Sequence, residues 1–385
     1  MRKTVLVVSG GVEAVPGIRH ARRLGYRVVV ADRDPAAPGV RYAHHAIVAS
    51  TYDADGMVAA ARRFVAQTGS IDGVLSIAAD VPLTVATVAT ALGLPGIPIR
   101  TAELASDKLA MKECLAANGI PVPWFAPVAS GEELGAVVAR RGLPLVIKPV
   151  DSRGARGVLR LSPGVDLAWA FAEATRWSPT GRVMVEEYLE GPQFSTESVL
   201  HDGNGWTPGF AERNYELLER FAPHMIENGG QQPSMISARD AAALRAVAEA
   251  AGRALGVQRG IVKGDLVLTP SGPRVIEIAT RLSGGWFCTD QVPLATGVDL
   301  VGAALRLATD EPLDADGLVP RRRRGVAIRY FFPPPGRVVR IRSVTRLRAT
   351  SWVHRLGVFV RLGGRVEDPT NHTQRAGFVI TSGAA

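Results

Sequence analysis

An acid in the middle of an apolar strand is the first chemical signal in this chain. Residues 275–285 read VIEIATRLSGG, so Glu277 interrupts a β-branched run, Arg281 follows four positions later, and a Ser283-Gly284-Gly285 corner comes next. Upstream, IVKGDLVL (261–268) carries Asp265 in a similar setting, and TPSGP joins the two segments as a hairpin. A turn centred on Ser271 places Asp265 opposite Glu277, with Cβ atoms roughly 4.5–5.5 Å apart on one face. Alternation then gives a core face of Val262, Leu266, Leu268, Ile276 and Ile278. The other face carries Lys263, Asp265, Val267, Glu277, Ala279 and, further on, Arg281. Two facing carboxylates repel unless a cation lies between them, and a hard divalent ion takes oxygen ligands in this way. A solvent-facing polar strand with Lys263 neutralising one acid is the alternative. The corner favours the first reading. Arginine offers a fork to carboxylate or phosphate oxygens, and glycines let backbone N–H groups approach an anion closely.

The elements that must hold these groups are legible in outline. Residues 1–100 alternate short Val-rich strands (VLVVSGG, RVVVADRDP, HAIVAS, DGVLSIAA) with amphipathic helices, which implies a doubly wound parallel sheet. A dinucleotide fingerprint starting at Gly10 needs glycines where Val12 and Val15 stand, so Asp32 is not read as a ribose ligand. Next, SDKLAMKECLAANGIPVP reads as a helix capped by Ser106 and stopped at Gly119. LPLVIKPVDSRGARGVLRL follows as strand, glycine loop and strand, and VEEYLEG as a strand entering a turn. The end of the chain (VAIRYFF, GRVVRI, GVFVRL, GFVITSG) reads as a small β-rich unit. With 385 residues and 46% hydrophobic content, the chain supports two or three domains.

Composition excludes several classes of function. No apolar run approaches the ~20 residues of a membrane span. Cys114 and Cys288 lie far apart with no CxxC, so neither a zinc site nor a disulfide framework is expected, and the setting fits a reducing cytoplasm. The net charge of +9 raises the question of a polyanion. Its densest run, Arg321 to Arg324, has no RNA-binding or helix-turn-helix pattern beside it and reads as a solvated linker. A small anionic ligand accounts for the charge equally well.

Taken in order, these segments resemble the ATP-grasp superfamily, and within it the carbamoyl-phosphate-synthase-like carboxylate–amine ligases. The resemblance rests on the SDK helix ending in GIPVP, on VIKP, on VEEYLEGPQFS, and on the acidic hairpin ending in E-x-x-x-R. It implies a pre-ATP-grasp Rossmann-like domain over 1–100 and a two-subdomain α+β ATP-grasp domain over 101–318, with a lid at about 120–190. A C-terminal β-rich subdomain would occupy 325–385. Asp265 and Glu277 would hold magnesium (or manganese) against ATP, the co-substrate. Lys108 and Lys148 would contact the ATP phosphates, and Ser152, Gly154 and Gly157 would belong to a covering flap. Glu186 would accept from the adenine amino group, Glu187 to Leu189 would pair with the ring edge, and Gln193 would face the ribose. Arg281, Ser283, Gly284 and Gly285 would hold the phosphorylated acid. Three departures stand out. Gln193 replaces a common glutamate, which leaves the ribose contact without charge; Ala279 replaces a common asparagine, which weakens a second metal site; and Lys263 stands where histidine is frequent.

The implied activity is amide formation through an acyl phosphate from a small-molecule carboxylate and amine, releasing ADP and phosphate, in a cytoplasmic enzyme that could be a homodimer. Alternatives are a bicarbonate-using carboxylase or carbamoyl-phosphate-like enzyme, and a nucleotide-binding regulator without turnover. His224 and Glu227 are the candidates for a base acting on the amine.

Overall fold

The computed structural model describes residues 2–384. Four apolar segments form its first sheet: β1 (Thr4–Val8), β2 (Arg27–Asp32), β3 (His45–Val48) and β4 (Gly73–Ser76). All run parallel, in the order β3-β2-β1-β4. Every residue of β1 is buried, because helices cover both faces. Val5 and Val7 point towards Ile18 of helix Val15–Arg23 and Leu300 of helix Leu300–Ala308. Leu6 and Val8 point the other way, towards Met57 and Val88 of helices Ala54–Thr68 and Pro82–Ala91.

A second sheet holds β5 (Phe125–Val128), β6 (Leu145–Pro149), β7 (Leu159–Leu161) and β8 (Val183–Glu187), antiparallel in the order β5-β8-β6-β7. Its apolar face packs on helices Gly131–Arg141 and Leu167–Arg176 through Leu134, Val137, Ala170 and Ala174.

The remaining strands are β9 (Gln193–His201), β10 (Asn204–Asn214), β11 (Gly229–Gln232), β12 (Arg259–Thr269), β13 (Gly272–Ala279), β14 (Arg324–Tyr330), β15 (Gly336–Arg337), β16 (Val353–Val358), β17 (Arg365–Val366) and β18 (Gly377–Ala384). Eight of them make one antiparallel sheet in the order β13-β12-β9-β10-β11-β14-β18-β16, while β15 and β17 pair separately. Helix Ala238–Ala254 covers one end of this sheet through Leu244, Ala248 and Ala251.

The closing segment departs from the sequence reading. Its three long strands extend the central sheet, because β14 pairs with β11 and buries Val326 and Ile328 with Phe378, Ile380 and Trp286. The expected strand GRVVRI shrinks to β15, and the strand expected in GVFVRL ends at Val358. Val339 and Leu362 in those stretches are 87% and 65% exposed, so alternation there has no partner face to bury against. Arg321 to Arg324 are all exposed, at the entrance to β14. Among the described residues, no helix is long and apolar enough to cross a membrane.

Candidate active site

The acidic hairpin brings Asp265 opposite Glu277. Its turn holds only Pro270 and Ser271, between the paired Thr269 and Gly272. That tighter turn would put the two acids out of register, and a bulge at Ile276 restores the pairing. The bulge also reverses one expectation. Val275 is buried in the core, whereas Ile276 lines a cavity of about 800 Å³ between the sheets.

Cations already surround both acids. Glu277 lies 3.2 Å from Lys108 Nζ. Asp265 is paired with Lys263, lies 3.1 Å from Arg213 Nη1, and accepts a hydrogen bond from Ser195 Oγ at 3.0 Å. Burial raises the Asp265 carboxyl, but the Arg213 and Lys263 charges overcome it and hold it well below the usual carboxylate range.

Lys108 also donates to the Ser152 backbone carbonyl at 2.6 Å, so one ammonium ties the hairpin to the glycine loop. Asp107 rather than Ser106 caps its helix, Lys108–Ala117, accepting from the N–H groups of Leu109 and Ala110. Ser106 instead closes the preceding helix, donating to Ala102 O. In the loop, Ser152 and Gly154 line the cavity. Gly157 does not. A Cβ there would meet Pro149 and Trp177 at 2.9 and 3.1 Å, so this glycine serves packing at the loop's base. The loop is latched at its tip, where His372 N donates to Gly154 O at 3.0 Å and Arg153 stacks over Tyr52.

Glu186, expected as the adenine acceptor, lines the cavity and is already engaged by cations. Its carboxylate, buried on β8, lies 2.5 Å from Lys148 Nζ and 2.9 Å from Lys112 Nζ. Glu186 therefore acts as counter-ion to two lysines. Glu187 donates its N–H to Trp124 O at 2.8 Å, and its side chain accepts from Trp124 N. Glu187, Leu189 and Gln193 all line the cavity.

Lys112 went unread in the sequence, although it stands four residues after Lys108 and so on the same helix face. Its side chain is 1% exposed, and its ammonium donates to Ile276 O at 2.9 Å. Burial pushes its pKa down to about 8 against the pull of Glu186. The helix, β8 and the hairpin bulge thus meet on one buried charge. Lys112→Met is expected to lower stability by about 3 kcal/mol, as breaking a buried pair does. A denaturant-unfolding change below about 1 kcal/mol would contradict this linkage.

Arg281 and the corner after it are also more occupied than expected. Arg281 Nε lies 3.7 Å from Asp80 at the end of the first sheet. Ser283 N donates to Glu197 Oε1 at 2.8 Å, and Gly285 N to Glu13 Oε2 at 2.7 Å. Two of the three N–H groups expected to face an oxyanion therefore point at carboxylates in this state.

Glu197 is fully buried, and burial pushes its pKa up to about 7 against the Ser283 hydrogen bonds. A carboxyl raised in the folded state favours folding while protonated. That contribution is complete below the unfolded value of 4.5 and is lost as pH rises through about 7. The stability of the parent chain, read from thermal melts, is expected to fall between pH 4.5 and about pH 7, by up to about 3 kcal/mol. Glu197→Gln is expected to flatten that fall; equal slopes would remove the assignment.

Beyond Asp265 lies a charged cluster that no local pattern announced. Arg213 on β10 places Nε and Nη2 3.1 and 2.5 Å from Glu227, and Arg375 joins the same acid at 3.6 Å. Glu227 lines the cavity but is held by two arginines, whereas His224 lies at the second sheet, bridging to Leu159 of β7 with its ring against Trp169. Burial lowers the His224 pKa. Neither residue stands as a free base beside the hairpin.

Among the described residues, no group of three or more His, Cys, Asp or Glu could hold a metal alone. Two carboxylates on paired strands nonetheless fit magnesium, which commonly takes one or two carboxylates and completes its shell with water and substrate phosphates. Ala279, buried and apolar, supplies no third ligand.

Comparison with known proteins follows the same order of parts. Residues 107–316, more than half of the chain, match the carbamoyl-phosphate synthase L chain ATP-binding domain. Residues 18–96 match the ATP-grasp N-terminal domain. The chain belongs to the ATP-grasp superfamily. As a member it is an ATP-dependent ligase of the kind that forms C–N bonds. Residues 329–385 match the L-amino acid ligase C-terminal domain 2. An uncharacterized protein of Sinorhizobium fredii, y4rH, is 27% identical, over 99% of this chain and 78% of its own. A D-alanine–D-alanine ligase of Aromatoleum aromaticum is 30% identical, over 57% of this chain and 70% of its own. Among solved structures, an L-amino acid ligase from Bacillus licheniformis superposes with a TM-score of 0.83 at 21% identity, covering 100% of this chain and 94% of that one. This last likeness is one of fold.

Proposed function

We propose that this ATP-grasp enzyme joins two amino acids. A carboxylate oxygen of the first attacks the γ-phosphorus of ATP and ADP leaves, giving an acyl phosphate. The amino nitrogen of the second attacks the acyl carbon, the acyl C–O bond breaks so that phosphate leaves with the carboxylate oxygen that had attacked phosphorus, and the nitrogen gives up a proton. The observation that carries this reading is the shared cavity. The segment matched by the L-amino acid ligase C-terminal domain contributes Tyr330, Phe359, His372 and Arg375 to the same space as Asp265, Glu277 and Arg281.

The residues divide the work by charge. Lys108 and Lys148 neutralise phosphate oxygens, and Glu186 fixes Lys148 in place. Asp265 and Glu277 would hold Mg²⁺, whose charge assists departure of ADP. Arg281 takes the oxygens of the phosphorylated acid as their charge grows. The loop over Ser152 and Gly154 excludes water that would hydrolyse the acyl phosphate. Bicarbonate suits the cavity less well, because Trp286, Phe287, Ile328 and Phe359 line it with apolar surface such an ion cannot use.

ADP release should therefore depend on an amino acid and rise when a second is added, with one dipeptide found by mass for each ADP. ADP release driven by bicarbonate alone would overturn the reading.

A further inference from the structure

Arg375 carries more donors than its protein partners use. It reaches the cavity from the stretch between the short helix His372–Gln374 and β18, with a side chain 10% exposed. Nη2 donates to the Glu227 backbone carbonyl at 2.7 Å and lies 3.6 Å from its carboxylate. Nε is buried and has no acceptor. The guanidinium carbon lies over Tyr330, 3.6 Å from the ring centre. Tyr330 in turn abuts the phosphate corner: a Cβ on Gly285 would lie 2.9 Å from its hydroxyl. Arg375 is thus one side chain away from where the acyl phosphate forms.

Four other arginines line the cavity. Arg153 and Arg156 belong to the glycine loop, where they lie over Tyr52 and Trp177. The remaining two are already committed. Arg213 spends Nε, Nη1 and Nη2 on Glu227 and Asp265, and Arg281 serves the acid being activated. A buried N–H without an acceptor is costly unless a ligand supplies one. A planar guanidinium held over a ring is suited to a carboxylate, which it meets through two parallel hydrogen bonds. The first amino acid's own carboxylate is consumed in the reaction. The second still carries one.

We infer that Arg375 binds the α-carboxylate of the amine-bearing amino acid, so that the C-terminal segment selects incoming amines with a free carboxylate. The inference rests on the amino-acid ligase reading above. It makes a second amino acid a better nucleophile than its carboxamide, and it makes Arg375 a substrate-binding residue.

The test compares each amino acid with its own carboxamide as nucleophile, in parent enzyme and in Arg375→Gln and Arg375→Lys. Hydroxamate formation with hydroxylamine, a nucleophile without a carboxylate, measures how much enzyme in each preparation activates the first acid. Relative to that measure, the parent should prefer the free acid in kcat/KM. Arg375→Gln should lose about 10- to 100-fold towards the acid, chiefly through KM, and little towards the amide. Arg375→Lys should recover part of the preference. Three results would overturn the inference: equal use of acid and amide by the parent, an unchanged preference in Arg375→Gln, or loss of hydroxamate and dipeptide together in that variant. A parent that forms no hydroxamate from any amino acid would instead overturn the ligase reading, and this inference with it.

Discussion

Glu277→Gln is expected to lower ADP release by about three orders of magnitude while leaving the fold intact. Glutamine keeps the shape and the hydrogen bond with Lys108, 3.2 Å away, but removes the charge. Asp265 alone leaves the metal a single protein carboxylate, one for which Arg213, Lys263 and Ser195 also compete. The metal would then face one carboxylate and two excess cations, Lys108 and Lys263. Stability should change by less than about 1 kcal/mol, since Glu277 is a quarter exposed and its pair with Lys108 is partly solvated. Turnover like that of the parent would remove Glu277 from the metal site.

Lys148→Met is expected to cost both activity and stability. Lys148 is 2% exposed, and its ammonium lies 2.5 Å from Glu186. Removing it leaves a buried carboxylate with Lys112 alone, at about 3 kcal/mol, and takes away a phosphate contact worth about 100- to 1000-fold in rate. The triple variant Lys112→Met/Lys148→Met/Glu186→Gln separates these effects. With no charge left in the buried cluster, most of the melting temperature should return. None of the ADP release should return. Recovery of both would make Lys148 a structural lysine only, and recovery of neither would deny that Glu186 is its counter-ion.

What the sequence carried and what it hid follow from one distinction. Periodicity and turn chemistry are local, so the parallel first sheet, the strands of the second sheet and the acidic hairpin could be read from spacing, though Asp265 meets Glu277 only because a bulge offsets a turn tighter than expected. The bulge at Ile276 could not be read, because nothing in VIEIA marks which residue leaves the ladder. Side-chain partners drawn from distant elements were hidden for the same reason. Lys112 looks like a solvated helix lysine until β8 and the hairpin close over it. Arg213, Glu227 and Arg375 come from β10, a loop and the C-terminal segment, and their meeting is a property of sheet order. The corner Ser283-Gly284-Gly285 shows the limit from the other side. Its backbone suits an anion, yet Glu13 and Glu197, far apart in sequence, take two of its N–H groups.

Oxygen-18 transfer tests the central claim most directly. With an amino acid labelled in both carboxylate oxygens, a second amino acid, ATP and magnesium, the account predicts one labelled oxygen in each inorganic phosphate released and one retained in the new amide. Unlabelled phosphate alongside dipeptide, or AMP and pyrophosphate in place of ADP, would contradict it.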